Sequence, residues 1–135
     1  MSCTYDLPMK PHAGERARNT LWYLFFLMGV VSMAWVPRIP EIKTELHLSD
    51  GRLGFLLLGS TCGAVIGSQL AGRLIHIFGS RILAIAGSAI LSLGLIAMSA
   101  SHHIPQLFVG LFVMGTGYVT LDISVNTQAL SLIHI

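Results

Sequence analysis

The chain has 135 residues, of which 53% are hydrophobic and 10% are charged, and its formal net charge is +2. Soluble globular domains carry about 25% charged residues, and domains of this size bury only about two-thirds of the surface of the unfolded chain. The composition therefore excludes an ordinary soluble domain and indicates a protein whose solvent is lipid. The weak positive charge, without a cluster of lysine and arginine, argues against nucleic-acid binding.

The polar N-terminal segment, residues 1–19, is predicted to be a mobile tail. Residues 20–36 then form a first membrane span, with aromatic residues at both ends, where such side chains favour the membrane interfaces. No small-residue cleavage site follows this span, so we expect it to be retained rather than removed as a signal peptide. Pro37 ends the span, and residues 37–52 predict a short amphipathic helix on the membrane surface.

Three further spans are predicted at residues 53–75, 82–100 and 106–129, each close to the roughly 20 residues that cross a bilayer. The second span carries small residues four positions apart on one helical face: Gly59, Gly63, Gly67 and Ala71. Such a stripe allows another helix to approach closely in lipid, where packing replaces the hydrophobic effect. The sequence leaves open whether that neighbour lies in this chain or in a second copy.

The fourth span becomes polar in its second half, where Asp122 and Asn126 share a face. A carboxylate inside a membrane helix costs at least about 2.5 kcal/mol on insertion scales, so such a residue is a candidate functional site. A carboxylate with alternating access to water can bind and release a proton. The alternative is that Asp122 lies near the inner membrane face and is simply hydrated, and Arg38 similarly either faces a cavity or reaches the surface.

Residues 72–81 form the charged break between the second and third spans, and we predict a ten-residue turn there. In this interpretation, Gly72 and Gly79 allow a close reversal of the chain. Arg73 and Arg81 make the turn basic, which favours the cytoplasmic side. From composition alone, a basic cytoplasmic linker is the simpler reading of the turn.

Orientation follows from the basic residues of the connecting segments. With a cytoplasmic N-terminus, the inner segments hold Lys10, Arg16, Arg18, Arg73 and Arg81, and the outer ones hold Arg38, Lys43 and Arg52. The preference is modest, and it predicts a multi-pass protein of the inner (plasma) membrane with its N-terminus inside.

Gly72-x-Leu74-x-x-x-x-Gly79-x-Arg81 resembles the loop between the second and third helices of the major facilitator superfamily. In that family the loop carries an acid and several basic residues, and it helps to hold the cytoplasmic side closed. Here His76 occupies the acidic position, and Ile77 and Ser80 occupy two basic ones. The resemblance implies a cytoplasmic gate made by Gly72, Arg73, His76, Gly79 and Arg81.

A narrower resemblance is to the fucose-permease-like branch of that superfamily. It rests on Trp35-Val36-Pro37-Arg38-Ile39-Pro40-Glu41-Ile42-Lys43, on Leu48-Ser49-Asp50, and on Gly115-x-Gly117-x-x-x-Leu121-Asp122-x-x-x-Asn126. In sugar/proton symporters of that branch, a carboxylate of the fourth helix takes part in proton coupling. The resemblance therefore implies that Asp122, Asn126 and Arg38 bind the solute or the proton.

These observations predict an all-α, polytopic membrane helix bundle that contains four of the twelve helices of a major facilitator carrier. We expect residues 20–129 to be the first four helices and residues 130–135 to be a non-native tail that resembles a sequencing adapter. The expected partners are a small polar solute, for which the resemblance makes a sugar the first choice, together with H⁺, membrane lipid and the missing remainder of the carrier. The alternative is a complete four-helix membrane scaffold whose glycine stripe forms an oligomer interface.

Two functional classes have no support in the sequence. We find no nucleophile–base pair and no phosphate-binding loop, so an enzyme is not expected, and no cofactor is predicted. Cys3 and Cys62 form no metal-binding motif, and the adjacent His102 and His103 cannot easily share one ion. We therefore predict no metal site.

Overall fold

A computed structural model describes residues 11–133, with side chains described for residues 14–131. This part of the chain is helical and contains no strand. Its five helices are α1 (Pro11–Trp35), α2 (Arg38–Glu45), α3 (Asp50–Phe78), α4 (Ser80–Ser99) and α5 (Ile104–Ile133). Four helical stretches are long and apolar enough to cross a membrane, α1 and α2 being counted together. The predicted all-α, polytopic membrane bundle is confirmed.

The first helix begins earlier than the sequence indicated. Residues 11–19 belong to α1, so this helix starts nine residues before the predicted span at residue 20, whereas residues 1–10 of the predicted tail lie outside the described residues. Pro11 occupies the first helical position, where its missing N–H breaks no hydrogen bond, and Glu15, Arg16 and Ala17 are good helix formers. At the other end, residues 130–133 continue α5, and residues 134–135 lie outside the described part.

The connection between α1 and α3 contains the short helix that the sequence predicted, α2, directly after Pro37. Leu48 is buried in the core and Ile42 packs against it, so this connection is anchored to the bundle. Ser49 caps α3, since its Oγ accepts a hydrogen bond from the backbone N–H of Arg52 at 3.4 Å. The Lys43 ammonium pairs with the carboxylate of Asp50 across the connection.

The predicted ten-residue turn at 72–81 was wrong, because the break between α3 and α4 is one residue long. α3 continues to Phe78 and α4 begins at Ser80. Gly79 adopts φ 83° and ψ 157°, a conformation that is open essentially to glycine alone. Gly72 lies within α3 and takes no part in the reversal, and a Cβ there would meet open space. α3 therefore continues without interruption to Phe78, and the chain reverses at Gly79, the residue that can adopt the required backbone conformation.

The last helix, α5, lies at the centre of the bundle. It packs extensively on α4 and α3 and less on α1, whereas α3 and α4 contact each other little although one residue joins them. The hydrophobic core follows this arrangement, because α5 contributes Leu107, Leu111, Met114, Leu121 and Val125 to it. The level of a residue along α5 can therefore be compared with the levels of the residues that it contacts on α3 and α4.

The contact between α4 and α5 has a constant antiparallel register. Its three close approaches pair Gly87 with Leu121, Leu91 with Gly117, and Gly94 with Met114. A Cβ on Gly94 would lie 2.6 Å from the Met114 nitrogen, so backbone touches backbone at each step. Residue numbers increase along α4 as they decrease along α5, and the two numbers of each contacting pair have the same sum. Each residue of α4 therefore has a defined opposite residue on α5.

Candidate functional site

Asp122 and Asn126, the predicted binding pair, lie together on α5. The Asn126 Nδ2 donates a hydrogen bond to Asp122 Oδ1 at 3.2 Å. Asp122 is half-buried and Asn126 is exposed. One turn of helix separates the two side chains, so the pairing follows from helical geometry once both residues occupy the same face.

The register with α4 shows how deep Asp122 lies. The 20 residues of α4 span about 30 Å, which is the thickness of the hydrocarbon core. The midpoint of α4, between Ala89 and Ile90, lies opposite residues 118–119 of α5 in the register described above. Asp122 is three to four residues farther on, or about 5 Å from the middle at 1.5 Å per residue.

This depth differs from the estimate that the sequence alone allows. Counting from Pro105 places Asp122 about 25 Å along its helix, close to the inner membrane face. However, α5 has 30 residues, about 45 Å, and begins beyond the outer end of α4. Length along α5 therefore overstates how far Asp122 lies from the outer surface.

Two residues that sequence reasoning missed connect this face of α5 to α1. Tyr118 lies one turn before Asp122, and its hydroxyl oxygen is 3.3 Å from Ser32 Oγ. Ser32 Oγ also bonds the Met28 carbonyl at 2.9 Å. A serine hydroxyl has one hydrogen, so when Ser32 donates to Met28 the Tyr118 hydroxyl donates to Ser32. The available signal was the spacing of Tyr118, Asp122 and Asn126, each four residues from the next.

The other hydroxyl groups near Asp122 are occupied by their own helix. Thr120 donates to the Thr116 carbonyl at 2.7 Å and Ser124 donates to the Thr120 carbonyl at 2.6 Å. Within the described residues, no buried side-chain nitrogen or oxygen lacks a hydrogen-bond partner. In the polar second half of α5, most hydroxyl groups thus donate hydrogen bonds to carbonyl groups of the same helix. Asp122 is the one charged residue in this part of α5.

Arg38, the third predicted binding residue, lies elsewhere. It is exposed and lines an outer groove of about 950 Å³ together with Glu41, Glu45 and His102. Met98 of α4 lines the same groove, and it lies about 18 Å along α4 from the level of Asp122. The structure therefore brings Asp122 and Asn126 together and leaves Arg38 at the end of the bundle where α4 ends.

The predicted gate residues lie around the junction of α3 and α4. Arg73, His76 and Arg81 are all exposed, the first two in the last turns of α3 and the third in the first turn of α4. In the part of the chain that the structure describes, Lys43–Asp50 is the one ion pair, so these three residues have no acidic partner there.

The small-residue stripe of α3 lies against α5. Gly59 faces the Phe108 ring, Gly63 faces the Phe112 carbonyl and Gly67 faces Thr116, while Ala71 is fully buried. Both helices advance by four residues between these contacts, so α3 and α5 run parallel. Thr116 Oγ1 lies 3.0 Å from the Gly63 carbonyl oxygen, a hydrogen bond between the helices.

No cluster suited to a metal ion occurs between residues 11 and 133. Titratable side chains are sparse along the spans, and Asp122 is paired with an amide rather than with a second acid or an imidazole. The carboxylate of Asp122 and the amide of Asn126 can together accept and donate hydrogen bonds to a polar molecule.

Comparison with known proteins identifies the family. The model of the Major Facilitator Superfamily matches residues 21–132. Membrane protein MosC of Rhizobium meliloti is 31% identical over 82% of this chain and 27% of its own length. An uncharacterised MFS-type transporter of Yersinia pestis is 30% identical over 78% of the chain and 27% of its own length.

A more distant relative is myo-inositol transporter 3 of Cryptococcus neoformans, which is 26% identical over 76% of the chain and 20% of its own length. No solved structure gives a significant match. The chain thus spans about a quarter of the length of these relatives. Since the family model covers most of the chain and agrees with its membrane helices, the chain belongs to the major facilitator superfamily.

Proposed function

We propose that this chain forms the first four membrane helices of a carrier that moves a small polar solute across the inner membrane, coupled to H⁺. Carriers of this kind work by alternating access, in which two helical halves rock about a central site. The N-terminus lies in the cytoplasm in this proposal, and the rest of the carrier belongs to the same longer chain. The membership of the superfamily supports transport rather than enzymatic catalysis.

The observation that carries this proposal is the level of Asp122 along the bundle, three to four residues from the point opposite the midpoint of α4. With α4 spanning the hydrocarbon core in this proposal, that level is about 5 Å from the middle of the membrane, where a charged carboxylate is costly unless it pairs, takes up a proton or meets water in a cavity. Its partner within the chain is the neutral amide of Asn126, which orients the carboxylate without neutralising it. In the proposed cycle, Asp122 takes up a proton from one side of the membrane and releases it to the other side. Its carboxyl group is then neutral or in contact with water in each state of the carrier.

A polyhydroxylated solute fits the remaining polar groups on this face. Asn126 offers an amide and Tyr118 a hydroxyl, each four residues from Asp122, and such groups hydrogen-bond to sugar or polyol hydroxyls. The myo-inositol transporter among the relatives supports a solute of this class. The fucose-permease-like resemblance points in the same direction, with a sugar as the first choice.

The ends of the bundle have different roles in this proposal. Arg38, at the outer groove, attracts or orients a solute on its way to the centre. Arg73, His76 and Arg81 form the cytoplasmic gate, their exposed side chains being free to contact the second half of the carrier.

The proposal is tested by Asp122→Asn in the full-length carrier, reconstituted in vesicles with an imposed proton gradient. We expect uphill, proton-driven accumulation of the solute to be abolished, because the amide cannot carry the proton. Exchange of labelled for unlabelled solute should persist in part, because the site keeps its shape and its hydrogen-bonding groups.

Ser124→Ala is the matched control, since Ser124 is buried on the same helix and bonds only to the Thr120 carbonyl. It should retain proton-driven accumulation. Wild-type accumulation by Asp122→Asn would refute the role of Asp122, whereas loss of both accumulation and exchange in the control would point to damaged folding of α5.

The competing function is a four-helix membrane scaffold that oligomerises through the glycine stripe of α3. One observation weakens it: Gly59, Gly63 and Gly67 are already buried against α5 of the same chain. The carrier proposal is therefore preferred.

A further inference from the structure

A second groove, unrelated to Asp122, opens at the end of the bundle where α4 begins. It has a volume of about 730 Å³ and lies between α1, the first half of α4 and the end of α5. Arg16 of α1 and Arg81 of α4 both line it, together with the hydroxyl-bearing Thr20 and Ser88 and the apolar Leu24 and Ile85. Among the residues that the structure describes, no acidic side chain lines it.

The charge of this groove distinguishes it from the groove at the opposite end. There, Arg38 is accompanied by Glu41 and Glu45, so negative groups outnumber the positive one. Here, two arginines from two different helices line the same space, and no described carboxylate lines it with them. A guanidinium binds phosphate oxygens through paired hydrogen bonds, so this groove suits an anion and the other does not.

The depth profile of the groove matches a lipid molecule. Arg81 is the second residue of α4 and so lies at the end of that span. Ile85 and Ser88 follow one and two turns farther along α4, so the groove extends about 10 Å from Arg81 toward the middle of the span at 1.5 Å per residue. Its charged end thus lies at headgroup level, and the apolar wall formed by Leu24 and Ile85 lies at the level of the acyl chains.

We propose that this groove binds an anionic phospholipid, with the phosphate between Arg16 and Arg81 and the start of one acyl chain along Leu24 and Ile85. Basic pockets between membrane helices bind anionic headgroups. A free phosphate ion would contact only the two arginines and would leave the apolar wall uncovered. A phospholipid places its phosphate at the arginines and an acyl chain along the apolar wall. The bound lipid ties α1 to α4 at this end of the bundle.

The test measures lipid retention by the full chain in zwitterionic detergent, using native mass spectrometry with added phosphatidylglycerol or phosphatidylcholine. We expect the wild type to retain phosphatidylglycerol preferentially. Each arginine near a membrane surface contributes about a fivefold gain in affinity for anionic lipid, so Arg16→Gln with Arg81→Gln should weaken phosphatidylglycerol binding roughly 30-fold.

Arg73→Gln is the matched control, because Arg73 is an exposed arginine near the same end of the bundle but does not line the groove. It should change binding less than twofold. Equal loss in this control would mean that general charge attraction explains retention, and an unchanged double variant would overturn the proposal. Displacement of the lipid by millimolar inorganic phosphate would identify a free-anion site instead, which would also overturn it.

A second pair of variants tests the apolar part of the groove. Ser88→Phe fills the inner part of the groove and should reduce phosphatidylglycerol retention, whereas Ser92→Phe, one turn beyond the groove on α4, should not. Ser88 is half-buried and Ser92 is exposed, and each donates a hydrogen bond to a carbonyl group of its own helix, so the two changes remove the same kind of hydrogen bond from α4. Circular dichroism of each variant verifies that the helices are intact, and equal retention by both variants would contradict the proposed seat of the acyl chain.

Discussion

The first and the last described helices are similar in length and in mean hydropathy, yet their surroundings differ. In the most apolar stretch of 18 residues in the first span, 6% of the residues are buried inside the bundle. In the corresponding stretch of α5, 50% are buried. On α1 the large side chains Trp22, Phe26 and Met33 are more than 60% exposed. Hydropathy therefore identifies both as membrane spans but does not say which lies at the centre.

Small residues explain the difference. Gly115 of α5 lies against the Ser60 carbonyl of α3, and Gly117 lies against Leu91 of α4. α1 contains Gly29, but a Cβ there would meet no atom within 4 Å. In lipid, helices associate by packing and hydrogen bonding rather than by hydrophobicity, so a helix with glycines on two faces accepts two close neighbours.

Gly115→Ala should break this arrangement most strongly. Its Cβ would overlap the backbone oxygen of Ser60, which cannot rotate away, so we expect a loss of about 3 kcal/mol in the free energy of unfolding. Reversible unfolding in mixed detergent micelles measures the change.

Gly29→Ala in α1 is the control for that experiment. Because its Cβ has open space and alanine favours helix, it should be neutral or stabilising by up to about 1 kcal/mol. If both substitutions destabilise equally, close packing does not distinguish α5 from α1.

Gly79→Ala tests a glycine that is needed for its backbone conformation rather than for close contact between helices. A Cβ at Gly79 would meet nothing within 4 Å, but φ is +83°, so we expect a cost of about 2 kcal/mol. The same unfolding measurement applies. Gly72→Ala, in open space within α3, should instead be neutral or mildly stabilising, and a cost as large as that at Gly79 would show that the ten-residue turn is real.

Tyr118→Phe should have the smallest effect. It removes the hydrogen bond between Tyr118 and Ser32, and interhelical hydrogen bonds in membranes contribute about 0.6 kcal/mol on average. A double-mutant cycle with Ser32→Ala isolates this contribution. A coupling near zero would mean that α1 is held to α5 by apolar contact alone.

The candidate site could be predicted in part. Asp122 and Asn126 share a face by helical periodicity alone, so their pairing was accessible from the sequence. Arg38 was grouped with them because of a resemblance, and its distance from them depends on how α1, α2 and α4 pack. Tyr118 has the right spacing, but its role depends on Ser32, which is 86 positions away in the chain.

The sequence by itself determined the membrane class, the four spans and the stripe of small residues, because hydropathy and helical periodicity are local properties. The tertiary structure decided which helix lies at the centre, how deep Asp122 lies, and that Gly79 alone breaks the chain between α3 and α4. Those features depend on contacts between residues far apart in sequence and on one backbone conformation. The groove lined by Arg16 and Arg81 belongs to the same group, since the two residues line one space only because α1 and α4 both pack on α5.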